Sequence, residues 1–156
     1  MKAAPLVAAA LALLAGTVLA QPKAPDPLAQ MDAPLRSLVQ RHIANEIKGD
    51  RGGTDVVGAE QADLDGDGKP EWVVLWTFLG PTYWWSRVSV FTLPGSTWRA
   101  AGTIQADGMV ERLRVKGGEI AVDTLVAGTN DPRCCPSRKA VQRIRWQRGK
   151  LVTAKP

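Results

Sequence analysis

Apolar positions along the chain change their period once. From Asp32 onward, Leu35, Leu38, Val39, Ile43 and Ile47 recur at helical spacing until Gly49. This predicts one amphipathic helix over residues 33–48, started by Asp32 as N-cap and stopped by the glycine. Beyond a glycine-rich corner at Gly52 and Gly53 the helical period does not return. Short β-type runs follow instead, over residues 56–62, 72–79, 84–93, 98–105, 109–115, 120–126, 140–146 and 151–154. They are separated by Gly, Pro and Asp, the residues of tight turns. Pro94-Gly95-Ser96, Lys116-Gly117-Gly118 and Arg148-Gly149-Lys150 are connections that join neighbouring antiparallel strands, and no segment is long enough for a parallel crossover.

The run 72–79 is apolar at every second position on both faces, which places it mid-sheet, covered by the helix or by a second layer. In the run 140–146, Ala140, Ile144 and Trp146 share one face while Val141, Arg143 and Arg145 share the other, the pattern of a strand with one wet side. The expected fold class is α+β or mainly β: an N-terminal amphipathic helix followed by a mainly antiparallel β-meander sheet, in a single domain over residues 32–156.

The segment before the helix changes the picture of compartment. Lys2 precedes an apolar run from Leu6 to Leu19, with small residues at Val18 and Ala20, which reads as a secretory signal peptide over residues 1–20. The run is shorter than the roughly 20 apolar residues that span a bilayer, so a membrane-spanning protein is not expected. Residues 21–31 hold Pro22, Pro25 and Pro27 without apolar period and predict an extended, mobile tether. The protein is therefore expected to be periplasmic or secreted. The formal charge is +5, near +4 once Lys2 is removed, with much of the excess beyond residue 111, a weak preference for anionic partners.

The segment Asp63-Leu64-Asp65-Gly66-Asp67-Gly68-Lys69-Pro70-Glu71 places carboxylates at loop positions one, three, five and nine and glycine at six. That is the first part of a calcium-loop pattern, in which alternate side chains converge on one hard cation and the Lys69 carbonyl adds an oxygen. The expected metal residues are Asp63, Asp65, Asp67, Lys69 and Glu71, and the expected ion is a structural Ca2+. Position twelve is Val74 inside a strand, which excludes an EF-hand. The arrangement resembles the strand-loop-strand calcium loops of FG-GAP and VCBS-type repeats, present here in one copy, so that no propeller is implied. The plain alternative is an Asp-Gly turn that binds nothing.

Cys134 and Cys135 are the only cysteines. In an exported protein they should oxidise, and neighbours about 3.8 Å apart at Cα would close a small rigid ring. A structural turn, a redox switch and an intermolecular bridge are all open. The combination of the acidic loop with Asp131-Pro132-Arg133-Cys134-Cys135-Pro136-Ser137, Arg145-Trp146 and Gly149-Lys150-Leu151-Val152 resembles a group of uncharacterised exported bacterial proteins. The Cys-Cys-Pro-Ser element is also similar to that of the mycobacterial LppP/LprE lipoproteins, although the lipid-bearing cysteine of lipoproteins is missing here.

Trp72, Trp76, Tyr83, Trp84 and Trp85 could stack on sugar rings but are explained more simply as core, and Trp84 and Trp85 must face opposite ways. Arg133, Arg138, Lys139, Arg143, Arg145, Arg148 and Lys150 make the last third basic; export argues against nucleic acid and leaves a solvated strand face or an anionic envelope polymer. His42, the only histidine, lies beside the apolar face of the helix, and no nucleophile–base pair or open metal site is visible, so no catalytic residue is assigned. The expected function is a non-enzymatic cell-envelope module, stiffened by calcium and a vicinal disulfide, that binds an unidentified envelope protein or polymer. The alternatives are a thiol–disulfide redox protein using Cys134 and Cys135, and a binder of glycans or anionic envelope polymers through tryptophans and basic residues.

Overall fold

The computed structural model describes residues 25–132 and 134–154. The predicted signal peptide and Arg133 lie outside them. The described residues form one helix, α1 (Ala33–Glu46), and eight strands: β1 (Gly53–Ala62), β2 (Glu71–Leu79), β3 (Trp84–Thr92), β4 (Arg99–Ala106), β5 (Met109–Lys116), β6 (Glu119–Val126), β7 (Arg138–Gln147) and β8 (Lys150–Thr153). The strands make two antiparallel four-stranded sheets, each in sequential order, β1 to β4 and β5 to β8.

This corrects the expected α+β class with an N-terminal helix and one meander sheet. The protein is mostly β, built on two sheets, and its single short helix is preceded by ordered chain. The meander breaks at Asp107-Gly108. Gly108 has φ +70°, and a Cβ there would fall on the Leu125 carbonyl oxygen, so the chain leaves the first sheet against the partner strand of the second. A left-handed backbone in such tight contact is open to glycine alone.

Both faces of β2 are buried, which is why two layers are needed. Trp72, Val74, Trp76 and Phe78 point to one side, where Leu35, Val39 and Ile43 of α1 cover them. Val73 and Leu75 point to the other, against Leu113, Ile120, Val122 and Ile144 of the second sheet. Gly58 lets β1 approach β5, since a Cβ there would lie 3.3 Å from that of Leu113, and Glu60 accepts a 2.8 Å hydrogen bond from the Val115 amide.

The helix begins where Asp32 accepts a 2.7 Å bond from the Leu35 amide, and Pro34 fits the first turn. It ends at Glu46 rather than Lys48, because the Lys48 amide closes on the Asn45 carbonyl in a tighter turn. The expected extended tether is corrected over its last residues. Leu28 and Met31 are buried in the helix-side core, turn hydrogen bonds run from Ala29 to Asp26 and from Met31 to Leu28, and the Arg36 guanidinium donates to the Leu28 carbonyl. Two apolar side chains among the prolines were enough to dock the segment.

Polar groups also fasten helix to sheet. His42 Nε2 lies 3.1 Å from Ser89 Oγ and 3.0 Å from Thr103 Oγ1, those hydroxyls lie 3.1 Å apart, and the Trp76 indole donates to Ser89 Oγ at 3.0 Å. Arg87 and Glu46 form an ion pair beside this network. Burial, and then the charge of Arg87, lower the His42 pKa from its ordinary 6.5. The unfolded chain therefore takes up this proton before the folded protein does, so the stability contributed by neutral His42 is complete above pH 6.5 and is lost as pH falls below it. Replacing His42 by Gln should lower stability by about 1–2 kcal/mol at neutral pH. Thermal melts of both proteins between about pH 8 and pH 5 should show that deficit shrinking on acidification; parallel curves would contradict the assignment.

Candidate functional site

The acidic loop joins β1 to β2, two paired strands whose last rungs are Gln61 with Trp72 and Ala62 with Glu71. Its ends are thus fixed by the first sheet. Within it, Asp63 accepts from the Gly66 amide at 2.7 Å and from the Gly68 amide at 3.0 Å. Asp65 accepts from the Asp67 amide at 3.2 Å, and Asp67 from the Lys69 amide at 2.7 Å. Gly66 and Gly68, at φ +81° and +82°, supply the left-handed turns that let the chain wrap around Asp63. Leu64 is buried between the sheets and anchors the loop from below.

Ligand oxygens of Asp63, Asp65 and Glu71 lie within 4.8 Å of one another. Two oxygens on opposite sides of one calcium ion stand about 4.6–5.2 Å apart, so these three carboxylates are close enough to share one ion. The donor set is oxygen only, as calcium requires. Asp67 lies outside that group; one of its oxygens accepts from the Lys69 amide. Five residues were expected at the metal, and the structure brings three side chains of them together.

Glu71 is the strained member. It is only 4% exposed, and its carboxylate accepts a 2.9 Å bond from the Leu64 amide. Burial raises its pKa above the ordinary carboxylate value, the Leu64 amide opposes that shift, and the charges of Asp65, Asp67 and Asp63 add to it. A divalent cation among the four carboxylates would reverse the charge contribution. Beside the loop opens a groove of about 680 Å³, with Asp65, Asp67 and Glu71 on one wall, Thr92 and Arg99 on another, and Trp146 also lining it.

The alternative of an aromatic platform is not assembled. Trp72 and Trp76 are buried beneath α1, and Trp85 stacks on Phe78 at 5.3 Å with the Arg87 guanidinium 4.6 Å from its ring centroid. Trp84 faces the other way and is partly exposed, with Leu79 and Met109, around a small hollow of about 220 Å³. Trp146 packs against the inter-sheet core rather than joining the arginines of its strand.

Cys134 and Cys135 form a vicinal disulfide with Cα atoms 3.8 Å apart, and both residues are exposed. The loop that carries them is closed by Asp131, which accepts from the Gly128 amide, the Ser137 amide and the Ser137 hydroxyl at 2.7, 2.7 and 2.9 Å. Those bonds, the Gly128 amide first, hold the Asp131 pKa below the ordinary carboxylate value. His42, the one histidine, is engaged in the helix–sheet network and does not serve the sulfurs.

Two groups escaped the sequence reading. Asp131 has no role legible in its spacing, because the groups it joins, Gly128 and Ser137, meet only in the folded loop. Arg112 and Arg114 on β5 join the basic residues of β7 on one face of the sheet, Arg114 directly across β6 from Arg143. Comparison with known protein families finds no family model that matches this chain, and comparison with curated proteins finds none that matches.

A bond between adjacent residues closes so short a loop that it restricts the unfolded chain little, worth about 1 kcal/mol. Reduction should therefore lower stability by no more than about that amount, and by less than Asp131→Ala, which removes the three hydrogen bonds that close the loop. Denaturant unfolding of the oxidised, reduced and Asp131→Ala proteins checks this. A larger loss on reduction than on substitution would give the structural role to the sulfurs.

Proposed function

We propose that the protein is a non-enzymatic, exported binding module whose fold is clamped by a calcium ion at the β1–β2 loop. The observation that carries this reading is the convergence of Asp63, Asp65 and Glu71 oxygens to within 4.8 Å at the mouth of the most deeply buried strand. The likeness of the loop to strand-loop-strand calcium loops, and the amide bonds that already shape it around Asp63, support the same reading. So does the destabilised Glu71 carboxylate, which an ion would relieve.

In this reading the ion is structural. Asp63 and Asp65 supply exposed oxygens, Glu71 a buried one, and the Lys69 carbonyl can add another, while Asp67 contributes negative charge nearby. The Leu64 amide orients Glu71. Tying β1 to β2 at this point couples the ion to both cores, since Leu64 lies in one and Trp72 in the other. The partner bound by the module is an envelope protein or polymer, and the apolar rim at Leu79 and Trp84 is one surface available to it.

Calcium at about 100 times its dissociation constant should stabilise the protein by about 2.7 kcal/mol, and a chelator should remove that gain. Asp65→Ala and Glu71→Gln should each abolish it. Glu71→Gln should nonetheless be at least as stable as the parent in chelator, because glutamine replaces a carboxylate that burial and three aspartates disfavour. Thermal melts of the three proteins in calcium and in chelator read these differences; a parent midpoint indifferent to calcium would sink the proposal.

A further inference from the structure

The outer face of the second sheet carries the surplus charge of the protein. Side chains of β5, β6 and β7 alternate, so that Leu113, Ile120, Val122 and Ile144 are buried between the sheets. Their neighbours point outward: Arg112, Arg114 and Lys116 from β5, and Lys139, Arg143 and Arg145 from β7. Glu119 and Asp123 of β6 lie among these six cations, with Glu111 at the β5 bulge and Glu60 near Arg114, so the cations outnumber the carboxylates in a chain whose formal net charge is +5.

The two carboxylates of β6 do not neutralise this face; they arrange it. Asp123 accepts from Arg112 and, through two nitrogens, from Arg114, while Glu119 accepts from Arg143 and Arg145. The Asp123 and Glu119 side chains are recessed, 17% and 23% exposed, whereas the four arginines are 50–71% exposed. Each guanidinium has five N–H donors, so donors remain free after these bonds. The arginines are thereby held side by side before any ligand arrives, which reduces the ordering cost of binding.

The spacing is that of the sheet. Positions two apart on a strand are separated by about 7 Å, and β5 and β7, with β6 between them, by about 10 Å. The cations thus form a two-dimensional array suited to a plane of anions. Aromatic side chains, which a single-stranded nucleic acid or a sugar would stack on, are turned away, since Trp146 packs into the core. Val141, 46% exposed, lies on the same face and offers apolar contact at a lipid boundary.

We propose that this face docks on an anionic lipid surface, with the arginines of β5 and β7 taking phosphodiester headgroups by charge-assisted hydrogen bonds. Docking is peripheral, and no helix among the described residues is long and apolar enough to cross a membrane. The proposal does not depend on calcium at the β1–β2 loop.

Vesicle co-sedimentation of the full chain in chelator tests it. The protein should sediment with vesicles of equal parts phosphatidylglycerol and phosphatidylcholine, stay free with phosphatidylcholine alone, and be released by salt. Each cation near such a surface is worth about a fivefold change in affinity, so Arg112→Ser with Arg143→Ser should weaken binding roughly twentyfold. Lys48→Ser with Arg51→Ser, which removes equal charge away from this face, should leave it within about twofold. A melt confirms that each variant is folded, and Arg112→Lys with Arg143→Lys, which keeps the charge, should retain most of the binding. Equal loss in the two serine pairs, equal sedimentation with neutral vesicles, or binding to soluble polyphosphate without binding to vesicles would each overturn the proposal.

Discussion

Strand β2 carries large apolar side chains on both faces, and the rest of the molecule is arranged to keep both out of water. Trp72, Val74, Trp76 and Phe78 need one cover and Val73 and Leu75 another, and all six are no more than 6% exposed. At about 1.5–3 kcal/mol for each such side chain, this one strand engages burial free energy as large as the whole net stability of a typical domain. No single sheet with one helix satisfies it. The helix covers one face, and the other is covered only because the chain turns back at Gly108 and builds a second sheet.

That constraint explains why polar chemistry is found where it is. At one end of β2 an acidic loop must enter the strand directly, and its last carboxylate, Glu71, is drawn into the buried layer with three aspartates beside it. In the middle of the sheet, Ser89 and Thr103 face α1, and the imidazole of His42 meets hydroxyls that helix packing would otherwise seal off from water. The outer face of the second sheet has no cover to satisfy and can afford arginines, with two carboxylates enough to set their positions.

The legible parts of the sequence were those with a period of their own. The helix over Leu35, Val39 and Ile43, and the fully apolar run after Glu71, could be read because their spacing is local. The division into two sheets could not, because Asp107-Gly108 carries the same turn signal as Lys116-Gly117-Gly118, which is a true hairpin. What separates them is contact with Leu125, distant in sequence. Leu28 and Met31 were hidden among prolines for the same reason. At the acidic loop, spacing marked out the carboxylates, but it did not reveal that Asp67 lies outside the close group of three or that Glu71 is buried. The arginine array requires register, since Arg114 and Arg143 become neighbours only across β6, both paired with Ala121.

The central claim is that an ion at the β1–β2 loop holds the most buried strand in place. Amide hydrogen exchange resolved by residue, in calcium and in chelator, addresses that coupling directly. The account predicts that calcium slows exchange at Leu64 and Gly68 and also along β2 and its partner β1, while leaving β7 and β8 the least changed. Protection confined to the loop, or none at all, would contradict it.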